Sequence, residues 1–550
     1  MNKINKFFTV FILLLIGLSC NEEEFLKEEP LDFYSPENSF TKPSDFESAL
    51  SRIYSNVQSQ FHNGASLGMC YFFPSDCNLD NHGIEHHLNS YTNSLIPENG
   101  WVSQMWNRTY RTIFDCNVLI SRIVETEAFA NENDRITIQA EAQFIRGFMY
   151  KFASILWGGV PIVLEEISAP KRDFVRASRE EVWAQVVSDL TFAAQNLPTQ
   201  TELKEDGHAT KGAAQHVLAE MYIIMEDWDK AIATAVIDNP DYALMTERFG
   251  TWADRPGDVY GDLFRRGNKN YWGQAGTNTE AIWVSQFEYQ TPGGEQANYM
   301  TRFAGSVYWS LVGNDGVNLF FGHSSQHGGR GIGWLNPTDY LLHEIWTDPD
   351  DIRNSEYNII RDVKADNPES AYYGQYIVES GAFTEFDNAL NRWWHAIWAK
   401  TAPINDFPAE VIANPETGAT TNGANQTFND TYYFRLAETY LLRAEAYFGK
   451  GDLINAAADI NTVRARAKAA PVNPGDVDID YILDERAREL HYEEFRVLTL
   501  MRLGKQKERV DQHNVMSGGH IEDKHKVWPI PQSEIERNTE AELEQNPGYN

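Results

Sequence analysis

The sequence is poor in cysteine and in positive charge. Its four cysteines are Cys20, Cys70, Cys77 and Cys116, and neither a CxxC pair nor an HExxH motif occurs. A structural zinc site and a zinc protease are therefore disfavoured. Lys and Arg total 46 against 79 Asp and Glu, which gives a formal net charge of −33. Such a surface repels phosphates, which argues against nucleic acid and against an anionic lipid surface as partners.

Two of the cysteines lie close together in the chain. Cys70 and Cys77 are near enough to form a disulfide through a short loop, with Cys116 left over. In an exported protein a Cys70–Cys77 disulfide is one alternative, and three free buried thiols are the other. The sequence leaves both open.

An apolar run over residues 7–18 follows two lysines at the N-terminus. It is shorter than the ~20 residues that a membrane-spanning helix needs, so it predicts a cleaved signal peptide over residues 1–19. The small Ser19 directly before Cys20 predicts lipoprotein processing, with lipid on Cys20. Ordinary signal cleavage nearby is the alternative. Three glutamates soon after Cys20 resemble a surface-export signal of Bacteroidetes lipoproteins.

A C-terminal block, residues 431–504, shows apolar residues at helical spacing. The pattern breaks at Gly449–Gly451, and Asp452 can cap the helix that follows. Small alanines let the two helices approach closely, so the pair is typical of a tetratricopeptide-like unit, which needs neighbours to bury its face.

A further helix is predicted over Asp484–Leu503. Its charged residues are spaced three apart as Arg486–Glu489 and Glu493–Arg496, so they can pair along one helix. Structural ion pairs are favoured here over a catalytic carboxylate pair.

Similar periodicity predicts more helices upstream. One begins near residue 44, and the others cover residues 101–124, 136–157, 179–197, 211–226 and 228–236. Together with the C-terminal block they make about four hairpins, enough for a stacked scaffold. The predicted fold is therefore mainly α, built of stacked tetratricopeptide-like helical hairpins with a large irregular, loop-rich insertion. A short helix is predicted over Pro337–Trp346, and strands over Ala281–Phe287 and Trp394–Trp398.

The chain divides into five segments that form one unit. They are the signal peptide (1–19), a lipidated tether and lead-in (20–43), a helical scaffold (44–237) with an inserted loop (62–100), an irregular insertion (238–430), and a C-terminal hairpin with a capping tail (431–550). Repeat scaffolds place insertions on one face, often the binding face.

Short motifs occur along almost the whole chain. They are FLKEEP, SPENSF and DFESALSRIY near the N-terminus, EAQFIRGFMYKFASILWGGVPIV in the middle, and RLAETYLLRAEAYFGKGD, ERARELHYEEFR, WPIPQSEI and QNPGY at the end. In this order and spacing they resemble the SusD/RagB family of Bacteroidetes outer-membrane lipoproteins, over residues 20–550. Thr499 and Thr539 depart from the family's pattern, in motifs that are structural.

The resemblance implies a non-catalytic lipoprotein, anchored by lipid and exposed at the surface of the outer membrane. It implies that the protein binds a nutrient, most often a glycan, and delivers it to a SusC-like TonB-dependent transporter. A peptide ligand, as in the RagB branch, is the alternative. A secreted glycoside hydrolase is a weaker one, because no paired carboxylates stand in a recognisable setting. No cofactor is expected, and a structural Ca²⁺ at an acidic, asparagine-rich turn is left open.

Sugars present flat C–H patches edged by hydroxyls, which aromatic rings and polar side chains recognise together. Two regions have this mix, Cys70–Trp101 and Trp272–Trp334. The candidate ligand-binding residues are Trp101, Trp309, Trp334, Trp272, Tyr308, Asp80, Asn81, His323 and Arg330. The first three rank highest because Gly, Asn or Ser neighbours indicate exposed loops. Trp106 and Trp157 stand in helical runs and are predicted to be packing residues.

A cluster of histidines, His82, His86 and His87, lies in the first of these regions. It lacks thiolate partners and a regular helix, so we interpret it as a polar surface loop rather than a metal site.

Overall fold

A computed structural model describes residues 39–63, 68–81, 87–203, 205–273, 276–291, 298–384 and 392–549. The predicted signal peptide, Cys20, His82 and His86 lie outside these ranges. Within them, no helix combines the length and apolarity that a bilayer crossing requires.

The protein is mainly helical, as predicted. Its α-helices are α1 (Pro43–Gln58), α2 (Tyr91–Ser94), α3 (Gly100–Glu125), α4 (Glu132–Leu156), α5 (Arg179–Asn196), α6 (Lys211–Ile224), α7 (Trp228–Thr234), α8 (Val259–Asp262), α9 (Met300–Ala304), α10 (Leu436–Gly449), α11 (Leu453–Arg466), α12 (Ile479–Leu490), α13 (Arg496–Arg502), α14 (Gln506–His513) and α15 (Gln532–Arg537).

The long helices form a stack in which neighbours in sequence pack together. Helix α4 packs on α3 and α5, α6 packs on α5, and α7 packs on α6. Helix α10 joins this stack through α6 and α7 and also packs on α11, so the C-terminal hairpin extends the scaffold. Buried alanines, among them Ala444 and Ala456, allow the close approach of α10 and α11. Asp452 caps α11 by accepting a hydrogen bond from the Asn455 amide at 3.1 Å, as predicted.

Eight short strands occur in the described ranges, and they pair two by two. They are β1 (Asn78–Asp80), β2 (Ala281–Ser285), β3 (Leu335–Pro337), β4 (Ile359–Ile360), β5 (Ile397–Trp398), β6 (Ile412–Asn414), β7 (Ala419–Thr420) and β8 (Thr431–Arg435). All four pairs are antiparallel: β1 with β3, β2 with β8, β4 with β5, and β6 with β7. The predicted strands at 281 and 394 are confirmed in shortened form. The helix predicted over 337–346 is a π-helical turn, Tyr340–Glu344.

Two predicted helices have different limits. Residues 431–435 form strand β8 rather than the start of α10, because their aromatic side chains pair with β2; the rings of Trp283 and Tyr433 stack at 4.0 Å. The helix predicted over 484–503 is broken between α12 and α13, where Tyr492 has a φ of 63°. That left-handed conformation ends a right-handed helix.

The ion pairs predicted along this helix are wrong, although the same residues do form ion pairs. Arg486 binds Glu438 and Glu494 at 2.7 and 2.6 Å instead of Glu489. Glu489 is fully buried and binds the guanidinium groups of three arginines, Arg353, Arg435 and Arg466. Arg486 and Glu489 lie in the same helix, α12, and bind partners on other elements; the break after α12 affects only Glu493 and Arg496.

Arg496, predicted to pair with Glu493, instead binds Asp76 at 2.7 Å, and Arg509 binds the same carboxylate at 2.9 Å. Glu493 accepts from Arg435 and Lys400, each at 2.6 Å. Asp76 belongs to the first candidate ligand region, so these contacts tie that region to the C-terminal helices.

The three described cysteines are free and buried. Cys70 and Cys77 are each 1% exposed and form no disulfide, so the second alternative, free buried thiols, is the correct one. Burial raises the pKa of all three thiols, which keeps them protonated and unreactive.

Candidate functional site

The two candidate ligand regions meet in space. Strand β1 of the first region pairs with β3 at the end of the second, with Leu79 opposite Asn336. The pairing extends one residue further, because the Asn81 amide donates to the Trp334 carbonyl at 2.9 Å. Segments about 250 residues apart therefore form one structural unit.

A close backbone contact positions the second region. The Ile332 amide donates to the Arg302 carbonyl at 2.7 Å and the Trp334 amide to the Phe303 carbonyl at 2.9 Å, so this segment runs alongside α9. A Cβ at Gly331 would overlap the carbonyl of Gly305. Glycine is therefore required where the two backbones touch.

Trp309 contacts this segment, and its ring is half-buried. Its indole Nε1–H donates to the Gly331 carbonyl at 3.0 Å, which fixes the orientation of the ring. The guanidinium carbon of Arg330 is 5.5 Å from the ring centroid, and the His323 ring packs edge-on at 6.1 Å. We call Trp309, His323 and Arg330 the Trp309 surface. All three were predicted from the sequence.

His323 is held by the β7 strand. Its Nδ1 is 2.7 Å from the Thr420 Oγ1, and the Thr420 amide donates to the His323 carbonyl at 3.1 Å. Burial lowers the pKa of His323, although a hydrogen bond with the Asn422 side chain opposes the shift. The imidazole is therefore neutral at pH 7, and a neutral imidazole both donates and accepts hydrogen bonds, as sugar hydroxyls require.

Two exposed aromatic side chains near this surface were missed. Phe321, two residues before His323, is 71% exposed, and Trp393 is 40% exposed. Phe321 follows the buried Phe320, and Trp393 precedes the buried Trp394. No predicted element included either residue, because Trp393 precedes the strand predicted over Trp394–Trp398 and Phe321 lies in the irregular insertion.

Other predicted residues lie elsewhere. Tyr308 is buried: its hydroxyl donates to the Gly329 carbonyl at 2.8 Å and accepts from the Ser324 amide at 2.9 Å. Its prediction as an exposed contact is wrong, because the neighbouring Trp309 takes the outward position.

Trp101 is not on a loop. The Asn99 side chain accepts from the Trp101 amide at 3.2 Å and caps α3, which begins at Gly100. The Trp101 ring packs edge-on against Trp528 at 5.0 Å. The expected exposed loop is therefore wrong, because an asparagine–glycine sequence here starts a helix.

Trp334 is half-buried and stacks on Phe303 at 5.4 Å. Trp272 is 51% exposed and rests on Tyr271 at 5.0 Å. Among the described residues, no hydrogen bond or ring contact connects Trp272 to the Trp309 surface.

Asp80 and Asn81 are 1% and 8% exposed, because they belong to the end of β1 rather than to an open loop. Trp106 and Trp157 are confirmed as packing residues, with ring centroids 5.0 Å apart. In the part of the chain that the structure describes, no group of three His, Cys, Asp or Glu side chains is arranged to hold a metal ion.

Fold and site define a helical-repeat scaffold that carries an aromatic and polar surface built from loops. Two family models match the chain: the SusD family over residues 279–549, and a model described as starch-binding associating with outer membrane over residues 24–223. The chain belongs to the SusD/RagB family.

Individual relatives agree with this membership. A SusD-like protein of Formosa agariphila is 23% identical over 98% of both chains, and another from that organism is 26% identical over 57% of both. The starch-binding protein SusD of Bacteroides thetaiotaomicron is 36% identical, over 23% of each chain.

Solved structures share the fold. A laminarin-binding SusD-like protein superposes with a TM-score of 0.66 at 20% identity, covering 93% of this chain and 100% of the other. A SusD homologue from Bacteroides thetaiotaomicron superposes with a TM-score of 0.69 at 19% identity, covering 93% and 98%.

Proposed function

We propose that this protein is a lipid-anchored outer-membrane protein that binds an oligosaccharide or polysaccharide at the Trp309 surface. It delivers this ligand, without altering it, to a SusC-like TonB-dependent transporter. Lipid on Cys20 provides the anchor and holds the chain at the cell surface.

The observation that carries the proposal is the fixed, half-exposed indole of Trp309. Its ring is oriented by the Gly331 carbonyl and flanked by a neutral imidazole and a guanidinium. A ring held in one orientation stacks on the C–H face of a sugar at little entropic cost, and the flanking groups hydrogen-bond its hydroxyls. The names of the matching family model and of two relatives, starch-binding and laminarin-binding, support a glycan over a peptide.

Binding is tested by titration calorimetry on the protein lacking residues 1–20, with panels of glycans and peptides side by side. Trp309→Ala is expected to weaken binding of the preferred glycan at least tenfold, equivalent to about 1.4 kcal/mol. Trp272→Ala is the matched control, because that ring is exposed but has no contact with the Trp309 surface. Unchanged affinity in Trp309→Ala, or preference for a peptide, contradicts the proposal.

The other parts of the proposal have separate tests. Chromatography of the ligand after long incubation should show no shortened products, and their appearance would indicate a hydrolase. Cys20→Ala is expected to move the protein out of the outer-membrane fraction. A TonB-dependent barrel should co-purify with the lipidated protein from detergent-solubilised outer membranes, and its absence would contradict the transporter role.

A further inference from the structure

We propose that the Trp309 surface selects a glycan whose sugars carry a negatively charged substituent, either a carboxylate or a sulfate ester, and that Arg330 and Arg392 bind this group. The inference rests on the proposed function and deepens it by naming the chemical class of the ligand.

The first observation is that the guanidinium of Arg330 forms no ion pair with a described residue. Its guanidinium is half-buried, lies 5.5 Å from the centroid of the Trp309 ring, and has no carboxylate within 4.0 Å among the described residues. This guanidinium donates no hydrogen bond to any described residue. In a chain with 79 acidic side chains, this absence of a partner is notable, because an arginine beside an acidic residue readily pairs with it.

The second observation is that Arg392, from another segment, contacts the residues that follow Arg330 and also has no acidic partner among the described residues. Its Nε and Nη2 donate to the Ile332 carbonyl at 3.0 and 2.8 Å, which leaves Nη1 without an acceptor among the described residues. The Arg392 carbonyl in turn accepts from the Val307 amide at 2.8 Å. Arg392 is therefore held by hydrogen bonds to the backbone through both its side chain and its carbonyl, and its Nη1 remains available as a donor.

The stacking ring and Arg392 bind adjacent residues of the segment that follows Arg330. Trp309 donates to the Gly331 carbonyl, and Arg392 donates to the next one, that of Ile332. A third arginine, Arg302, accepts at its carbonyl from the Ile332 amide, and its buried Nε has no hydrogen-bond partner in the described part of the chain. Arg302, Arg330 and Arg392, from three separate segments, thus all lie beside residues 331–332.

The contrast with the scaffold shows that this arrangement differs from structural pairing. There, Arg353, Arg435 and Arg466 are buried and bind carboxylates at each guanidinium. Guanidinium groups match carboxylate and sulfate oxygens through paired N–H donors, so unpaired arginines beside a stacking ring suit a charged sugar.

The acidic group in contact with this loop is Asp366. One of its oxygens accepts from the Phe321 amide at 2.9 Å, and the other is 3.8 Å from His327 Nδ1. Burial raises the pKa of Asp366. Elsewhere the surface of this protein is strongly acidic, so an anionic ligand requires a local concentration of positive charge such as this one.

The test compares three oligosaccharides of equal length by calorimetry: neutral, uronate-bearing and sulfated. Either charged ligand is expected to bind at least tenfold more tightly than the neutral one in 50 mM NaCl, and to lose this advantage in 500 mM NaCl. The charged oligosaccharide that binds more tightly than the neutral one identifies the substituent as carboxylate or sulfate.

Arg330→Gln and Arg392→Gln should each reduce affinity for the charged ligand about tenfold and should weaken binding of the neutral ligand less, because a sugar hydroxyl carries no charge for the guanidinium to pair with. Arg172→Gln is the control, because Arg172 is exposed and has no carboxylate within 4.0 Å among the described residues. Should either variant fold poorly, the salt dependence of the unaltered protein tests the same point. Equal affinity for neutral and charged ligands, with loss in Trp309→Ala, overturns this inference but retains the proposed function. Unchanged binding of every ligand in Trp309→Ala overturns the proposed function itself.

Discussion

Replacing Glu489 with glutamine should destabilise the fold more than any single change on its surface. The carboxylate is fully buried and binds three guanidinium groups, those of Arg353, Arg435 and Arg466. Burial alone would raise the pKa of Glu489, but the charges of Arg466, Arg435 and Arg353 outweigh burial and hold it well below its usual range. Glu489 is therefore ionised at neutral pH.

Glutamine keeps the shape of Glu489 but removes its charge and directs an NH₂ group at one of the guanidiniums. Removing one partner of a buried ion pair costs about 3–5 kcal/mol, because the remaining charge is left uncompensated. Since three arginines share this carboxylate, we expect the upper part of that range. The free energy of unfolding, measured by urea titration with tryptophan fluorescence, checks it.

Glu540→Gln is the matched control, because Glu540 is exposed and forms no ion pair within the described residues. A loss below about 1 kcal/mol in Glu489→Gln would refute the reasoning. It would mean that the desolvation of four charged groups cancels their attraction in the native state.

Three further outcomes are expected. Arginines lower the pKa of Glu485 from 4.5 to about 2 despite burial. The contribution of its carboxylate to the free energy of unfolding, about 3 kcal/mol, is therefore present above pH 4.5 and lost as pH falls towards 2. The difference in unfolding free energy between the native protein and Glu485→Gln should disappear in acid, and a difference that stays constant contradicts this. Cys70 and Cys77 should resist alkylation until the protein is unfolded, and mass spectrometry should detect no disulfide; rapid native labelling contradicts their burial. Gly331→Ala should lower the melting temperature, whereas Gly475→Ala, with nothing within 4 Å of its added Cβ, should not; equal effects would show that the backbone contact is not limiting.

The helical scaffold was largely predictable because its signal is local. Apolar residues at a period of 3.6 define α3 to α6 and α10 to α11, and the Asp452 cap follows from residue type and position. The errors arise where tertiary contacts override this pattern. Thr431–Arg435 joins β2 instead of α10, and the left-handed Tyr492 interrupts an otherwise helical pattern.

The candidate site was predictable only in part. Trp309, His323 and Arg330 have the right chemistry in a loop-rich segment, and the structure brings them together. No local rule shows that Tyr308 is buried while Trp309 faces outward. The difference depends on a tertiary contact, the hydrogen bond that the Trp309 indole donates to the Gly331 carbonyl. The pairing of β1 with β3 is a contact across about 250 residues, and no spacing in a single sequence indicates it.

The attachment of the first candidate region has a consequence for how such proteins diversify. Asp76, two residues before β1, is bound by Arg496 and Arg509, so the base of this loop is fastened to helices α13 and α14. Changes beyond the fastening point, after Asn81, leave those charges and the β1–β3 ladder intact. Lengthening a surface loop adds only a slowly growing entropic cost. Sequence changes beyond Asn81 can therefore accumulate in descendants of this gene without loosening the attachment of this region to helices α13 and α14.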